Sequence, residues 1–178
     1  MVRKRTKPPK GVVTQAAMKQ LLHYDPATGI FTRLRGGRWN QNAGIVAGTK
    51  NKNWYIRIYL MGAYHHAHRL AWLYMTGEWP AAQIDHINRD KADNRWCNLR
   101  EATPRQNLAN KGAQANSNSG VRGVHYYNAR DKWVPYIQAP TGKLKRLGYY
   151  DTMEEARAVR IAAAKALHGE FADDGEER

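Results

Sequence analysis

The sequence contains a single cysteine, and this scarcity limits the chemistry open to the chain. Cys97 alone forms no internal disulfide and no zinc site made of several thiolates, and we expect it to be a small core residue. There is no run of about eighteen apolar residues, so we expect no membrane-spanning segment. The first ten residues lack the apolar stretch of a signal peptide, which predicts a soluble, intracellular protein.

Acidic residues are scarce in the first part of the chain. Residues 1–77 contain thirteen Lys and Arg against one acid, Asp25, which gives a net charge of +12. Residues 78–150 contain twelve against six, net +6, and residues 151–178 contain four against eight, net −4, so the whole chain carries +14. A basic surface gains affinity for nucleic acid by releasing counterions from phosphates. Because Trp and Tyr are interleaved with the charges, nucleic acid is favoured over an anionic membrane surface or a merely solvated basic face.

Composition and turn signals divide the 178 residues into one domain or two small ones with connecting segments. The best boundary is a stretch rich in Gly, Asn and Ser, which is typical of a flexible linker. The predicted segments are a disordered basic arm over residues 1–10, a β-rich region over 11–67, a core over 68–112, a linker over 113–120, a small domain over 121–172 and a tail over 173–178.

Hydrophobic periodicity and capping signals predict the helices and strands. The first half begins with a helix capped by Thr14, with Met18, Leu21 and Leu22 on its apolar side, and a turn over Asp25–Gly29. It continues with strands over 30–34 and 54–60, a helix over 68–76, and strands over 82–87 and 98–102. Thr103-Pro104-Arg105-Gln106 has the form of a capping box with Pro at the first helical position, so a helix begins here. Downstream we predict strands over 123–127, 132–139 and 143–150, then a helix from the capping box at Thr152 to about His168. The apolar stripe of that helix comprises Ala156, Val159, Ala163 and Leu167.

An adjacent Asp-His pair, Asp85-His86, is the strongest chemical signal. Hydrolysis of a phosphodiester needs an activated water and charge stabilisation on the phosphate, and a hard divalent cation with oxygen ligands supplies the second. A neutral imidazole can deprotonate water near pH 7. Neighbouring residues of a strand point to opposite faces, so the pair needs a local bend, such as one at Ile87-Asn88, to share a site. Asn107, in the first turn of the capped helix, lies near a dipole end that favours phosphate.

At these residues the chain resembles the HNH nucleases, in particular the phage-type HNH homing endonucleases. The matching stretches are His68-Arg69-Leu70, Ile84-Asp85-His86-Ile87-Asn88, Asp93-Asn94, Asn98-Leu99-Arg100-Glu101-Ala102-Thr103 and Gln106-Asn107. The resemblance implies that residues 68–112 form a ββα-metal nuclease core, in which a hairpin and a helix hold one Mg²⁺ or Mn²⁺ per active site.

The same resemblance implies roles for individual residues. His86 matches the general base and Asp85 a metal ligand. Asn107 stands where many members have His, and would be the second metal ligand in an oxygen-rich site that suits Mg²⁺ better than zinc. Asn98 is the middle Asn, which ties the loop to the hairpin and orients the His. Arg89 stands where relatives often carry Gly, which strains the turn or places a cation near the phosphate.

The three other His residues nearby have plainer interpretations. We expect His68 to be a buried, hydrogen-bonded residue behind the site. His65-His66 are expected to be exposed strand residues rather than metal ligands.

The C-terminal segment resembles a plant ethylene-response-factor-type DNA-binding domain. The residues that carry this resemblance are Val121-Arg122-Gly123-Val124, Lys132-Trp133, Ile137, Leu147-Gly148-Tyr149-Tyr150 and Glu154-Glu155-Ala156. It implies a three-stranded sheet in the major groove, backed by a helix. Sequence preference is not carried over, because His125, Tyr136 and Gln138 replace the usual residues. The alternative is a small packing domain that touches no DNA.

Arg122 matches a DNA-contacting Arg of that family, and other basic residues are candidates for phosphate contacts. The full set of predicted DNA-binding residues is Arg122, Lys132, Lys143, Lys145, Arg146, Arg57, Arg89 and Arg105.

Together these patterns predict an α+β chain, with a ββα-metal HNH core followed by a small three-stranded antiparallel sheet packed on one helix. The implied function is an HNH endonuclease of the homing or phage type that nicks double-stranded DNA with His86, Asp85, Asn98 and Asn107. We expect a monomer on DNA, with a dimer as the alternative, in the cytoplasm of a prokaryotic or phage-infected cell. The runner-up is a non-catalytic DNA-binding regulator that uses the same basic surface, and an RNA-binding protein is a third reading.

Overall fold

The computed structural model describes residues 11–34, 43–112, 119–139 and 141–172. The predicted basic arm, most of the predicted linker and the tail lie outside these residues. The chain divides into two compact units between Glu101 and Ala102. Within the described ranges, no helix is long and apolar enough to cross a membrane.

The first unit mixes two helices with short antiparallel strands, as an α+β class requires. Three sheets have the orders β1-β2, β3-β4-β5 and β6-β7. The elements in chain order are α1 (Gln15–Leu21), β1 (Leu22–Asp25), β2 (Ile30–Arg33), β3 (Thr49–Lys50), β4 (Ile56–Leu60), β5 (Ala63–His66), α2 (Ala67–Thr76), β6 (Gln83–His86) and β7 (Leu99–Ala102).

A single apolar core joins the elements of this unit. It contains Met18, Leu22, Tyr24, Phe31, Ile58, Leu70, Leu73, Ile84 and Leu99, together with smaller residues. Leu70 and Leu73 come from α2, whose left-handed Gly77 ends the helix by donating to the carbonyl of Leu73. The core therefore fixes β6, which contains the Asp-His pair, and its neighbouring strand β7.

The turn between β1 and β2 packs directly on the loop that follows β6. Gly29 has φ +74°, and a Cβ there would lie 2.4 Å from the backbone of Asn94 and Arg95. The hydroxyl of Tyr24 donates to the carbonyl of Asn94 over 2.7 Å. The predicted turn at Asp25–Gly29 is thus present, and it packs against the loop that follows β6.

The second unit consists of α3 (Pro104–Ala109), β8 (Val124–Tyr127), β9 (Lys132–Gln138), β10 (Leu144–Arg146) and α4 (Met153–His168). The three strands form an antiparallel sheet in the order β10-β9-β8. Both predicted capping boxes are confirmed: Thr103 pairs with Gln106 and Thr152 with Glu155, side chain to backbone in each direction. The small core cluster comprises Val121, Val124 and Ala156, with Trp133 and Tyr150 against it.

Several local predictions differ from the structure because long-range contacts override local pattern. Leu22 lies in a strand rather than on the first helix, since it pairs with Arg33. The strand predicted from Trp54 begins at Ile56, because Trp54 has φ +71° in a turn organised by Asn51. Cys97 is exposed, so its predicted core position is wrong.

The helix α4 buries a face shifted from the predicted stripe. Ala156, Arg160 and Ala164 are its buried residues, whereas Val159 and Leu167 are only partly buried. Ala156 and Ala164 are short, and the longer side chain of Arg160 lies between them on the same helix face. The long strand predicted over 143–150 is limited to β10, followed by a single bridge between Trp133 and Tyr150.

Candidate active site

His86 ends β6 and is 4% exposed. Its Nε2 lies 3.5 Å from Oδ1 of Asn94, and the amide of Asn94 is oriented by donating from Nδ2 to the carbonyl of Ala92 over 2.9 Å. With Oδ1 as the acceptor, His86 carries its proton on Nε2, and the basic lone pair of a neutral ring is on Nδ1. The site therefore contains an oriented imidazole.

Burial lowers the pKa of His86, although the Asn94 hydrogen bond and the neighbouring Asp85 act in the opposite direction. Its ring centroid lies 5.1 Å from that of His68 and 6.0 Å from that of Tyr55. Burial, with repulsion from His86 and His66, lowers the pKa of His68 to about 3. Both rings are accordingly neutral at pH 7.

Asp85 is also 4% exposed, and its Oδ2 accepts from Arg100 Nε at 3.0 Å and Nη2 at 2.9 Å. Arg100 comes from β7, the strand beside β6. Asp85 and His86 are thus both buried, with different partners, as expected for neighbouring residues of a strand. Their charges still interact, since Asp85 raises the pKa of His86.

Asn98 ties the loop to the start of β7. Its Oδ1 accepts from the backbone of Asn88 at 2.9 Å, and its Nδ2 donates to Oδ1 of Asn88 and the carbonyl of Asp93. The backbone of Ile87 donates to the carbonyl of Asn98 over 2.9 Å. Asn98 is therefore buried and stabilises the loop, and its role as the middle Asn stays a prediction.

The turn after His86 is strained at Arg89, which adopts φ +65°. Its backbone donates to the carbonyl of His86 over 2.9 Å, closing the bend expected at Ile87-Asn88. Only glycine adopts such a φ without cost, so the tight turn holds Arg89 in place at some expense of stability.

Asn107 is half-buried in α3 and belongs to the second compact unit. Asp85, His86 and Asn98 all belong to the first. The structure thus brings three of the four predicted catalytic residues into one unit, and the ββα arrangement that would add Asn107 stays a prediction.

Comparison with known proteins bears on the same residues. A family model described as HNH endonuclease matches residues 65–109, which include α2, the β6–β7 pair and α3. This segment is thus similar to an HNH endonuclease domain. An uncharacterized HNH endonuclease of Acanthamoeba polyphaga mimivirus is 36% identical over 89 residues, which are 50% of this chain and 44% of that protein. The match thus spans less than half of that relative.

A solved structure is also similar, that of the HNH homing endonuclease I-HmuI, described in terms of its DNA binding and cleavage. The TM-score is 0.40 and the identity 19%, over 71% of each chain. These matches do not show the predicted ethylene-response-factor-type domain.

HNH nucleases generally depend on a divalent metal, and the donor set of this domain can be tested against that need. Among the described residues, no group of three or more His, Cys, Asp or Glu side chains is disposed to hold a metal. Mg²⁺, however, commonly takes only one or two carboxylates and completes its shell with water and substrate phosphate. The buried carboxylate of Asp85 fits that sparse requirement, and its Oδ2 is paired with Arg100 in this structure.

Several predicted DNA-binding residues already have partners within their own unit. Arg57 lies 4.5 Å from the ring of Tyr64, and Lys132 forms an ion pair with Asp151. Arg146 lies 4.9 Å from the ring of Tyr149 and donates to its hydroxyl. Lys143, Lys145 and Arg105 are exposed.

Arg122 donates to the carbonyls of Leu108 and Ala109 in α3 and to that of Lys111, two residues beyond the helix. Exposed lysines and arginines that make no such contacts within the protein are better candidates for phosphate contacts, because they break no existing interaction when they bind DNA.

Sequence reasoning missed Asn94, Tyr55 and Arg100 as members of this site. Asn94 directly follows Asp93 in the matching stretch, so the motif itself contained the signal. Tyr55 is distant from His86 in the sequence, and its ring lies 6.0 Å from that of His86 because β4 and β6 pack on one core. The predicted burial of His68 agrees with its 6% exposure, but no hydrogen-bond partner for its Nδ1 exists in the part of the chain described.

Proposed function

We propose that this chain is a metal-dependent DNA endonuclease of the HNH type, with His86 as the general base. The observation that carries the proposal is a buried, neutral and oriented imidazole in the segment that matches the HNH model. The resemblance of its motifs supports the homing or phage type. A single active site per chain would nick one strand, and we propose a monomer on DNA, with a dimer as the alternative.

His86 is suited to take a proton from water at Nδ1. Burial keeps the ring unprotonated at pH 7, and Asn94 fixes the other nitrogen as the donor. Once the ring is protonated, the carboxylate of Asp85 stabilises the positive charge. General-base catalysis of this kind contributes about 10²- to 10⁴-fold to a rate.

Asp85 and Asn107 would hold the cation, with water and a DNA phosphate as the further ligands. A divalent ion bound there stabilises negative charge on the phosphate and on the leaving oxygen. Arg100 holds the Asp85 carboxylate in one orientation, and Asn98 keeps the loop that follows His86 against β7. Arg100 and Asn98 thus position other groups of the site and do not contact the substrate.

Cleavage of supercoiled plasmid tests the proposal directly. The full chain is incubated with Mg²⁺, Mn²⁺ or EDTA, and the His86→Ala and His23→Ala variants are compared. His23 is exposed on β1 and serves as the matched control. We expect metal-dependent nicked circles with wild type and His23→Ala, at least about a 10²-fold slower reaction with His86→Ala, and equal DNA affinity throughout.

A non-catalytic DNA-binding regulator is the second candidate, and the ion pair between Arg100 and Asp85 favours it. A carboxylate that is already neutralised by a guanidinium has less need of a metal ion. DNA binding without cleavage in any metal, on random plasmid and on a library of potential target sites, would replace the enzyme by the regulator.

A further inference from the structure

The helix α3 depends on outside support at its C-terminal end. It has six residues, Pro104–Ala109, too few to be stable in isolation. Its N-terminal end is satisfied by the capping box of Thr103 and Gln106. At the other end the cap residue is Asn110 in a right-handed conformation, without the glycine that commonly satisfies the last carbonyls.

Arg122 supplies side-chain donors at this end, where the carbonyl of Leu108 also accepts from the backbone of Lys111 over 3.3 Å. Its Nη1 lies 2.7 Å from the carbonyl of Leu108, 2.9 Å from that of Ala109 and 2.8 Å from that of Lys111. Two protons are shared among three carbonyls, and the positive charge stands at the negative end of the helix dipole. The guanidinium therefore acts as a side-chain cap for α3.

The backbone around Arg122 is fixed by the C-terminal sheet. The carbonyl of Gly123 accepts from the backbone of Tyr136 on β9 over 2.7 Å. Gly123 has φ +72°, and a Cβ there would lie 2.7 Å from the carbonyl of Tyr136. On the other side, Ser119 is buried, and its hydroxyl lies 2.6 Å from the carbonyl of Val124. Arg122 is thus anchored to the sheet on both sides.

The surroundings of Arg122 allow a competing interpretation. A cleft of about 190 Å³ is lined by Arg105, Arg122, Arg160 and His168, among others. Burial lowers the pKa of His168, and the three arginines lower it further, so this region is strongly positive. A DNA phosphate in the cleft would be the contact that the family resemblance implies for Arg122.

The carbonyl contacts decide between the two interpretations. We propose that Arg122 is a positioning residue, which locks α3, and with it Asn107, to the C-terminal sheet, rather than a residue that contacts DNA. The C-terminal module, which comprises β8, β9, β10 and α4, then belongs to the framework of the HNH domain and is not a separable DNA-binding tail. The link to catalysis rests on the proposed function, through the metal-binding role of Asn107, whereas the link to α3 does not.

The test compares Arg122→Ala and Arg122→Lys with Arg130→Ala in the full chain. Arg130 is an exposed arginine of the same module, stacked on Tyr149, and controls for the loss of one surface charge. Three quantities are measured: amide hydrogen exchange, the salt dependence of DNA affinity, and the rate of cleavage at saturating DNA over a range of Mg²⁺ concentrations.

We expect Arg122→Ala to lose exchange protection at the amides of α3, including those of Asn107 and Asn110, while β8 and β9 keep theirs. Cleavage at saturating DNA should slow by about a hundredfold, the scale of a small misplacement of a catalytic group, and should require more Mg²⁺. Arg122→Lys should restore part of both effects, because an ammonium can still donate to the carbonyls. The salt dependence of DNA binding should match that of wild type.

Opposite results would overturn the proposal. A salt slope reduced by about one with α3 protection intact would identify a phosphate contact. A uniform loss of exchange protection over β8–β10 and α4 would show that Arg122 stabilises the whole module and does not stabilise α3 specifically. If wild type fails to cleave DNA, the proposed function fails, and the exchange data alone still decide whether Arg122 holds α3.

Discussion

The two compact units stabilise their polar residues in different ways. The first buries Asp85, His86, Asn94 and Asn98 beneath a large core of aromatic and aliphatic side chains. The second has only a small apolar cluster and relies on capping boxes and on arginine contacts with backbone carbonyls. A large, closely packed core can hold ionisable side chains out of water at fixed positions, which suits a catalytic base. A unit with a small core depends more on the hydrogen bonds that cap its helices.

The largest effect is expected from opening the core of the first unit. Leu70→Ala truncates a side chain of α2 that is 0% exposed, and the free energy of unfolding of the protein should fall by about 2–5 kcal/mol. Urea unfolding measures this, with Leu144→Ala as the control. Leu144 is 69% exposed in the second unit, so its truncation should change stability by less than about 0.5 kcal/mol. Equal effects would mean that the first unit is not organised around this core.

Acid should destabilise the first unit through His68. Its pKa in the folded state is lowered to about 3, so the stability it contributes is complete above the unfolded value of 6.5 and is lost as the pH falls below it. At about pH 5 the loss should amount to about 2 kcal/mol, and His86 and His66 shift the balance in the same direction.

Urea unfolding at pH 7 and pH 5 measures that loss in wild type and His68→Gln. The stability of His68→Gln should fall less between pH 7 and pH 5 than that of wild type, because the contribution of His68 is removed. His23→Gln changes an exposed residue and should show the same fall in stability as wild type. Identical pH dependence in wild type and His68→Gln would show that His68 does not remain neutral in the folded protein.

The smallest effect concerns a helix end in the second unit. Thr152→Ala removes the side chain that accepts from the backbone of Glu155, and should cost about 1 kcal/mol. Thr141→Ala, at an exposed turn of the same unit, is the matched control. Thermal unfolding followed by circular dichroism gives both values. No difference between them would show that the capping box of α4 adds nothing to the stability of this unit.

Local signals predicted the helix ends well, because a capping box involves residues three apart. Thr103 with Gln106 and Thr152 with Glu155 could be identified from sequence for that reason. The burial of Arg160 on α4 could not, since an arginine on a helix reads as solvent-exposed until its surroundings are known. The exposure of Cys97 depended in the same way on a loop held by distant contacts.

The Asp-His pair, the middle Asn and the strongly basic charge were determined by the sequence itself, because each is a property of residue type and spacing. The sequence therefore indicated the HNH domain and the chemistry open to it. Only the tertiary structure decided that Asn94 orients His86, that Arg100 pairs with Asp85, and that Arg122 caps a helix. Burial, ion pairing and helix capping depend on which distant segments meet, and no local pattern encodes that meeting.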